Sequence, residues 1–358
     1  MTREEIEKFT ASPDIELVDA MRKIDKNSYG VLYIIDEAEK LIGCLSDGDI
    51  RRYIIRTGTV SGKAQEIMNK TPKFVLQNEK YKATQYIKKY VIRSIPVVSQ
   101  DGKITEIIFR SSNHSFDEKI TDRLKGTPTI IMAGGKGTRL YPYTKILPKP
   151  LIPIGDVPIL ERILNRFTAY GIDEFYITVN YKKEMIKSYF LELAPEYQIH
   201  FIEEEKPLGT AGSITLIDKE FDRPVIVTNC DILIEAEYDK VLDFHEKSGN
   251  DITIVSSLKN TEIPYGVLHS EKEGIVSSME EKPTISYLIN TGMYIVNPDA
   301  LTKIPKDTFY HMPSLAESIM KEGGKVGTYP ISENSFLDMG QFAEMKRMEE
   351  RIESGELN

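Results

Sequence analysis

The sequence predicts an α/β protein of two domains, in which a small α+β domain precedes a larger domain built on a mainly parallel sheet. Two observations carry this prediction. Residues 1–110 contain one helix–strand–strand pattern twice, and residues 128–256 alternate between apolar strands and amphipathic helices. Strands that alternate with helices form parallel sheets covered by helices on both faces. A chain of 358 residues is long enough for two such domains.

The amino-terminal pattern begins in each copy with an amphipathic helical stretch, followed by two short apolar strands joined by an acidic turn. The predicted helical stretches are residues 15–21 and 83–91. The strands are predicted at 30–36 and 40–45 in the first copy, and at 94–99 and 103–108 in the second. The sequence therefore predicts one structural unit used twice within residues 1–115.

A polar stretch at residues 116–127 is predicted to be a linker. The domain from residue 128 to residue 358 then alternates, with strands predicted at 129–133, 174–179, 200–204, 225–229 and 251–256. The predicted helices lie between them, at 158–170, 183–191, 211–217 and 238–247. Ligands of such sheets gather at the carboxyl ends of the strands, so the site is expected there.

Composition restricts the classes of function. The chain has 41% hydrophobic and 28% charged residues and a formal charge of -9, which offers no basic surface for nucleic acid. No apolar run approaches the about 20 residues that span a bilayer, and the amino terminus has no signal-peptide core, so a cytoplasmic protein without a membrane partner is expected. Cys44 and Cys230 are too few for a disulfide framework, and five histidines show no zinc-ligand spacing.

Residues 130–140, IIMAGGKGTRL, join an apolar strand to a glycine-rich, cationic turn. Glycines let backbone N–H groups approach phosphate oxygens, and Arg139 and the lysines that follow supply positive charge where a phosphate gains charge during displacement. The spacing is not that of a Walker loop, and Leu140 stands where a dinucleotide fingerprint needs its third glycine. A plain turn is the alternative that the residues alone leave open.

The loop and its continuation, AGGKGTRLYPYTKILPKPLIPIG, resemble the signature segment of sugar-phosphate nucleotidylyltransferases. Further segments follow in the order typical of that family: EEKPLGTAG at 204–212, NCD at 229–231, YGV at 265–267, EKP at 281–283, NTG at 290–292 and LDMG at 337–340. The resemblance implies a Rossmann-like, GT-A-like sheet. It also implies attack by a sugar 1-phosphate on the α-phosphorus of a nucleoside triphosphate, with release of pyrophosphate.

The resemblance further implies roles for single residues. Arg139, Lys149 and Lys282 are implied to be catalytic, with Lys282 on the incoming sugar phosphate. Nucleotide contacts are implied for Ala133, Gly134, Gly135, Gly137, Thr138, Glu204, Gly209 and Thr210, and sugar-phosphate contacts for Gly266, Glu281, Lys282, Asn290 and Thr291. Asp231 and Asp338 are implied to hold Mg²⁺, a cation that binds one or two carboxylates together with substrate phosphates. By residue type alone, either aspartate could be a turn residue.

The segment around Glu204 looks more like that of guanylyltransferases acting on mannose, heptose or glucosamine 1-phosphate than like uridylyl- or thymidylyltransferases. A carboxylate can accept both hydrogens that guanine offers on its Watson–Crick edge, whereas uracil and thymine offer one. GTP is therefore the favoured nucleotide. The alternative that Glu203, Glu204 and Glu205 form a solvated strand end stays open.

The segments GCLSDGD at 43–49 and RSIPVV at 93–98 resemble CBS domains, which pair into modules that bind nucleotides and regulate an attached enzyme. Ser46 and Asp49 fit the ligand positions of such repeats, implying an adenine or guanine nucleotide, although both residue types also suit a helix cap. This CBS pair ahead of a transferase domain resembles bacterial glucosamine-1-phosphate guanylyltransferases that feed legionaminic-acid synthesis. Glucosamine 1-phosphate is thus the favoured acceptor, and a homo-oligomer is expected because CBS pairs often associate.

Two rival functions differ in class. A metal-dependent glycosyltransferase typically carries DxD, where this chain has Asn229, Cys230 and Asp231. A non-catalytic nucleotide sensor would pair the CBS module with a decayed transferase domain, and the intact charged residues of the motifs argue against decay. Only the nucleotidylyltransferase releases pyrophosphate from a nucleoside triphosphate and a sugar 1-phosphate.

Overall fold

A computed structural model describes residues 1–27, 29–90, 92–110, 121–340 and 342–353. Within these residues, no helix has the length and apolarity needed to cross a bilayer. The strands before residue 111 are β1 (Thr10–Ala11), β2 (Val31–Ile35), β3 (Leu41–Ser46), β4 (Val75–Leu76), β5 (Ser94–Val98) and β6 (Ile104–Phe109). The helices there are α1 (Arg3–Glu7), α2 (Leu17–Asn27), α3 (Asp47–Thr57), α4 (Ala64–Ile67) and α5 (Ala83–Tyr90).

The strands after residue 120 are β7 (Thr129–Met132), β8 (Pro153–Ile154), β9 (Val157–Pro158), β10 (Glu174–Val179), β11 (Gln198–Glu203), β12 (Val225–Asn229), β13 (Ile232–Ile234), β14 (Ile252–Glu262), β15 (Val267–Ser270), β16 (Val276–Glu280), β17 (Thr284–Val296), β18 (Val326–Ile331) and β19 (Phe336–Asp338). The helices are α6 (Tyr143–Ile146), α7 (Ile159–Thr168), α8 (Lys183–Leu193), α9 (Gly209–Gly212), α10 (Tyr238–Ser248), α11 (Pro298–Leu301), α12 (Met312–Lys321) and α13 (Phe342–Glu353).

The chain forms two compact units. The first comprises Met1–Asn113, Ser257–Ile289 and Pro330–Asn334, and the second His114–Ser256, Asn290–Tyr329 and Ser335–Asn358. This grouping differs from the predicted division at residues 115 and 128, because two segments of the carboxyl-terminal part pack with the amino-terminal repeats. Sequence periodicity reports local structure and carries no signal for such a return of the chain.

The predicted linker at 116–127 is only partly within the described residues, since 116–120 lie outside them. Its remainder packs against the second unit. The backbone N–H groups of Thr121 and Leu124 donate to the carbonyls of Ala169 and Tyr170, at 3.2 and 3.1 Å, and Leu124 is fully buried. Residues 121–127 are therefore an anchored segment of the second unit.

The first unit contains the predicted repeat. In the first copy β1 pairs in parallel with β2, and β2 pairs antiparallel with β3. The second copy repeats this arrangement with β4, β5 and β6. The hydroxyl groups of Tyr33 and Ser94 lie 2.8 Å apart and link the middle strands of the two copies.

The second unit is organised around a seven-stranded sheet in the order β11-β10-β7-β12-β17-β14-β18. The first four strands are mutually parallel, whereas β17 runs antiparallel to β12. The predicted α/β class is confirmed. Strand β17 was not among the predicted strands, and the predicted helix at 211–217 is instead the short helix α9 followed by a 3₁₀ turn.

A buried histidine links helix α10 to the sheet. His245 Nδ1 lies 2.9 Å from the hydroxyl of Thr253, and its Nε2 lies 3.1 Å from Oδ1 of Asn297. Burial is the main cause that lowers the pKa of His245, because the charged imidazolium would lose its hydration. The folded unit therefore favours the neutral form of this ring.

We expect the second unit to lose stability as pH falls below about 6.5, where the unfolded chain binds a proton at this histidine more readily than the folded chain does. Replacing His245 with Gln removes this proton-linked contribution. The midpoint of thermal unfolding should consequently fall less steeply between about pH 7.5 and about pH 5 in H245Q than in the unaltered chain. If the unfolding midpoint falls equally with pH in the two proteins, His245 is not the group that causes the loss of stability at low pH.

Candidate active site

The glycine-rich loop and Asp231 leave the sheet at the same edge. Strands β7 and β12 are parallel neighbours, with Met132 opposite Asn229, and the Cys230 N–H donates to the Met132 carbonyl at 3.3 Å. Each strand ends at these residues. The carboxyl ends of two adjacent parallel strands thus carry the two segments at the place where α/β sheets bind ligands.

The glycine-rich loop, residues 133–137, is pinned at its far end. Gly137 has a left-handed backbone with φ of 64°, and its carbonyl accepts a hydrogen bond of 2.8 Å from the buried Thr144 hydroxyl. The 3₁₀ turn Thr138–Leu140 follows, with Leu140 fully buried and Thr138 and Arg139 exposed. The core thus holds the turn in place and leaves Arg139 accessible.

For the nucleotide contacts that the sequence predicts in this loop, replacing Gly137 with Ala is expected to raise the KM for the nucleoside triphosphate at least about tenfold, because the loop must shift. A β-carbon at Gly137 would lie 2.9 Å from Thr144 Cγ2 and 3.1 Å from Lys149 Cβ. Gly249 is the matched control, since its φ is also positive and a β-carbon there would have no neighbour within 4 Å. G249A should destabilise the fold slightly and leave the KM unchanged; an unchanged KM in G137A would contradict the role of the loop.

Asp231 and Asp338 are neighbours although 107 positions separate them in the sequence. Strand β19 pairs antiparallel with β13, which places Asp338 opposite Ile232. The Met339 N–H donates to the Asp231 carbonyl at 2.8 Å. Burial, and then the nearby Asp231 carboxylate, raise the pKa of Asp338, while Lys149 and Arg139 act in the opposite direction.

Two cations complete this group. Lys149 is only 7% exposed, and its ammonium contacts the Asp231 carboxylate. A β-carbon at Gly340 would lie 2.8 Å from Asp338 Oδ1 and 3.1 Å from Arg139 Nη1, so the absence of a side chain at Gly340 lets these two groups approach. We call Arg139, Lys149, Asp231 and Asp338 the charged cluster.

The charged cluster fits a divalent cation that a substrate helps to bind. Asp231 and Asp338 supply carboxylate oxygens. Burial is the main cause that raises the pKa of Asp338, and repulsion by the Asp231 carboxylate is the second cause, which a divalent cation would relieve. The described residues contain no group of three or more His, Cys, Asp or Glu arranged to hold a metal alone. Two carboxylates match the way Mg²⁺ binds, with phosphates and water as its other ligands.

Glu204 is buried beside the glycine-rich loop. One carboxylate oxygen accepts a hydrogen bond of 3.2 Å from the Leu208 N–H, and the other lies 2.5 Å from the position of a β-carbon at Gly134. Burial raises the pKa of Glu204. The solvated strand end that the sequence left open fits the exposed Glu203 and Glu205 and does not fit Glu204.

The segment at Gly209 and Thr210 is held by a distant part of the chain that the sequence did not reveal. The Thr210 N–H donates to His311 Nδ1 at 3.3 Å, and the Thr210 hydroxyl accepts from the Met312 N–H at 3.1 Å. Gly209 has a φ of 78°, and a β-carbon there would lie 2.5 Å from the Tyr310 carbonyl oxygen. Pro313 marks the start of α12 in the sequence, but no pattern indicates its contact with Thr210.

The predicted sugar-binding side chains of Asn290 and Thr291 are engaged within the second unit. Asn290 Nδ2 donates to the Tyr294 hydroxyl at 2.7 Å, and its Oδ1 accepts from the Gly292 N–H at 2.9 Å. The buried Thr291 hydroxyl donates to the Val255 carbonyl at 2.7 Å. The hydroxyl hydrogen of Thr291 is therefore used in a hydrogen bond within the second unit.

The other predicted sugar-phosphate residues belong to the first unit. Gly266, Glu281 and Lys282 are exposed, and Lys282 has a positive φ of 47°. A β-carbon at Gly266 would lie 3.0 Å from Glu281 Oε2. The two residues thus face each other closely.

Ser46 and Asp49, the predicted CBS ligand positions, form a reciprocal cap at the start of α3. The Ser46 hydroxyl donates to Asp49 Oδ2 at 2.6 Å, the Asp49 N–H donates back to Ser46 at 3.3 Å, and Arg52 contacts Asp49 at 2.5 Å. The capping role that the sequence left open is present.

The family profile described as nucleotidyl transferase matches residues 128–354, well over half of the chain. The chain belongs to the nucleotidyl transferase family. A second profile, for the CBS domain, matches residues 1–56, the region of the first repeat copy. The charged cluster and the glycine-rich loop both lie within the nucleotidyl transferase match.

Relatives of this nucleotidyl transferase include the mannose-1-phosphate guanyltransferases of Debaryomyces hansenii and Candida albicans, each 32% identical over 228 residues. The match covers 59% of this chain and 60% of each relative, so the chain spans about 60% of their length. Among solved structures, HddC from Yersinia pseudotuberculosis is similar at 26% identity with a TM-score of 0.50, covering 63% of this chain and 99% of HddC.

Proposed function

We propose that the chain catalyses Mg²⁺-dependent transfer of GMP from GTP to a sugar 1-phosphate, giving a GDP-sugar and pyrophosphate. The observation that carries this proposal is the charged cluster at the carboxyl ends of β7 and β12, beside a glycine-rich loop. Two anionic reactants must be brought together, so cations that position them and neutralise charge are what the reaction needs.

The bonds balance without a covalent enzyme intermediate. An oxygen of the sugar 1-phosphate forms a bond to the α-phosphorus of GTP, and the bond from that phosphorus to the bridging oxygen of the β-phosphate breaks. Arg139 would bind phosphate oxygens in two contacts, and Lys149 would neutralise charge beside them. Burial raises the pKa of Cys230 to about 12, so this thiol stays protonated and is not a nucleophile.

Asp231 and Asp338 are the residues that would hold Mg²⁺. When bound, the cation would neutralise phosphate charge and favour departure of pyrophosphate. The chain's own contribution is to keep both carboxylates partly buried and adjacent through the β13–β19 pair. Lys149 holds the Asp231 side chain in place.

The preference for GTP is supported by the guanylyltransferase-like segment around Glu204 and by the names of the relatives, which are guanyltransferases. For the acceptor, those names favour mannose 1-phosphate, whereas the CBS pair ahead of the transferase domain favours glucosamine 1-phosphate and the legionaminic-acid route. An adenine or guanine nucleotide at Ser46 and Asp49, and a homo-oligomeric cytoplasmic enzyme, complete the proposal.

Pyrophosphate release tests this proposal across a matrix of substrates with Mg²⁺. GTP, UTP, CTP, ATP and dTTP are each combined with glucosamine, N-acetylglucosamine, mannose and glucose 1-phosphates. We expect release with GTP at least about tenfold faster than with UTP or dTTP, as loss of one paired hydrogen bond predicts. Equal use of UTP or dTTP would contradict guanine selection, and absence of release with every pair would contradict the proposed reaction.

A further inference from the structure

The sugar-phosphate arm, defined as residues 257–289, carries Gly266, Glu281 and Lys282 on a hairpin with no core of its own. No side chain from residue 262 to residue 282 is buried. Strands β15 and β16 pair only with each other, and the Ile263 N–H closes the base of the hairpin on the Pro283 carbonyl at 2.9 Å. An isolated two-stranded hairpin is marginally stable in water, so contacts at its base must set its conformation.

The base of the arm has an apolar anchor in the amino-terminal repeat. Leu258, at the start of the arm, is 1% exposed and packs in one hydrophobic cluster with Leu17 and Met21 of α2 and Ile50 and Ile54 of α3. Leu288, at the other end of the arm, packs against the same cluster. Both ends of the arm thus pack against α2 and α3.

Polar contacts add to this anchor. Arg22 of α2 contacts the hydroxyl of Thr284 in the arm. The segment Pro330–Asn334 contacts both helix α2 and the arm. Asn334 Nδ2 donates to the Asp25 carbonyl of α2 at 2.9 Å, and the Glu333 carboxylate accepts from Lys259 Nζ of the arm at 2.6 Å. The arm is therefore tied to the first helix pair of the repeat through side chains and backbone.

We infer that helices α2 and α3 of the amino-terminal repeat position the sugar-phosphate arm, with Leu258 and Arg22 as positioning residues for the sugar 1-phosphate. The inference rests on the proposed function for the role of Glu281 and Lys282. It assigns the amino-terminal module a part in acceptor binding that is independent of any nucleotide at Ser46 and Asp49. Loosening the anchor should weaken binding of the sugar 1-phosphate and leave GTP binding unaffected, because the glycine-rich loop and Glu204 belong to the other unit.

The test uses two variants of the full chain, each with a matched control. Leu258→Ala removes the apolar anchor, and Ile95→Ala is its control because Ile95 is fully buried in the separate cluster of the second repeat copy. Arg22→Met removes the contact with Thr284 without opening a core, and Lys26→Met, an exposed lysine on the same helix, is its control. The surface variants keep the test valid if Leu258→Ala folds poorly.

Hydrogen–deuterium exchange of peptides from residues 262–282 gives a readout that does not need turnover. We expect exchange at least about tenfold faster in Leu258→Ala and Arg22→Met than in their controls, as a local opening predicts. In kinetics, the KM for the sugar 1-phosphate should rise about tenfold while the KM for GTP changes less than about twofold.

Unchanged exchange in both variants would overturn the anchoring. Faster exchange accompanied by equal rises in both KM values, or by none, would overturn the positioning role. If the unaltered chain shows no turnover with any acceptor, the proposed function fails, and the exchange result still decides whether α2 and α3 hold the arm.

Discussion

Replacing Asp231 with Asn is expected to lower kcat by about three orders of magnitude, as removal of a principal charge-stabilising group does in phosphoryl-type transfers. The change removes one of the two carboxylates proposed to hold Mg²⁺ and the partner of Lys149, while keeping the size of the side chain. Steady-state pyrophosphate release at saturating Mg²⁺, GTP and acceptor measures the effect.

The control for this variant is Asp222→Asn. Asp222 is an exposed aspartate that forms a surface ion pair with the adjacent Arg223, at 3.3 Å. D222N should retain the kcat of the unaltered chain. An Asp231→Asn protein that keeps more than about a tenth of the original kcat would exclude Asp231 as a metal ligand required for the reaction.

Replacing Lys149 with Met should lower kcat/KM by about 10²- to 10⁴-fold and also destabilise the second unit. The ammonium is buried against the Asp231 carboxylate, and its removal leaves that carboxylate without its ion-pair partner, while Arg139 remains near Asp338. Breaking a buried pair from one side typically costs about 3–5 kcal/mol. Pyrophosphate release and urea unfolding measure the two effects.

The double variant K149M/D231N separates these two losses. Since it removes both members of the pair, it should recover much of the stability lost in K149M while remaining inactive. Lys240→Met is the single-site control, because Lys240 is exposed and pairs with Glu237 on the surface. Recovery of activity in the double variant would show that Lys149 serves only to neutralise Asp231.

The part of the site that follows from local pattern was predictable. An apolar strand that runs into AGGKGTRL and another that runs into NCD each place their polar residues at a strand end, and parallel pairing brings the two ends together. The position of Asp338 could not be predicted from local pattern, because it depends on the pairing of β13 with β19, which are about 100 residues apart in the chain. The order of the motifs predicted Asp338 as a site residue, but only the fold shows that it lies next to Asp231.

Three features escaped prediction for physical reasons. The support of Thr210 by His311 is a contact between residues about 100 positions apart with no shared periodicity. The Thr291 hydroxyl donates to the Val255 carbonyl because Thr291 lies in the buried part of β17. Residues 284–289 of the same strand belong to the arm and are not buried, so β17 shows no single pattern of buried and exposed residues that would predict this contact. The packing of Leu258 against α2 and α3 joins segments that are far apart in the sequence. One apolar residue in a strand pattern does not show which hydrophobic core it will join.

Transfer of the α-phosphate of GTP to a sugar 1-phosphate can be followed directly with a label. The purified chain is incubated with Mg²⁺, GTP labelled at the α-phosphorus and the acceptor that releases pyrophosphate fastest, and the products are separated and quantified. We predict that the label enters a GDP-sugar in amounts equal to the pyrophosphate formed. Label recovered as GMP or GDP without a sugar, or GTP left unconsumed by a folded protein, would contradict nucleotidyl transfer to a sugar 1-phosphate.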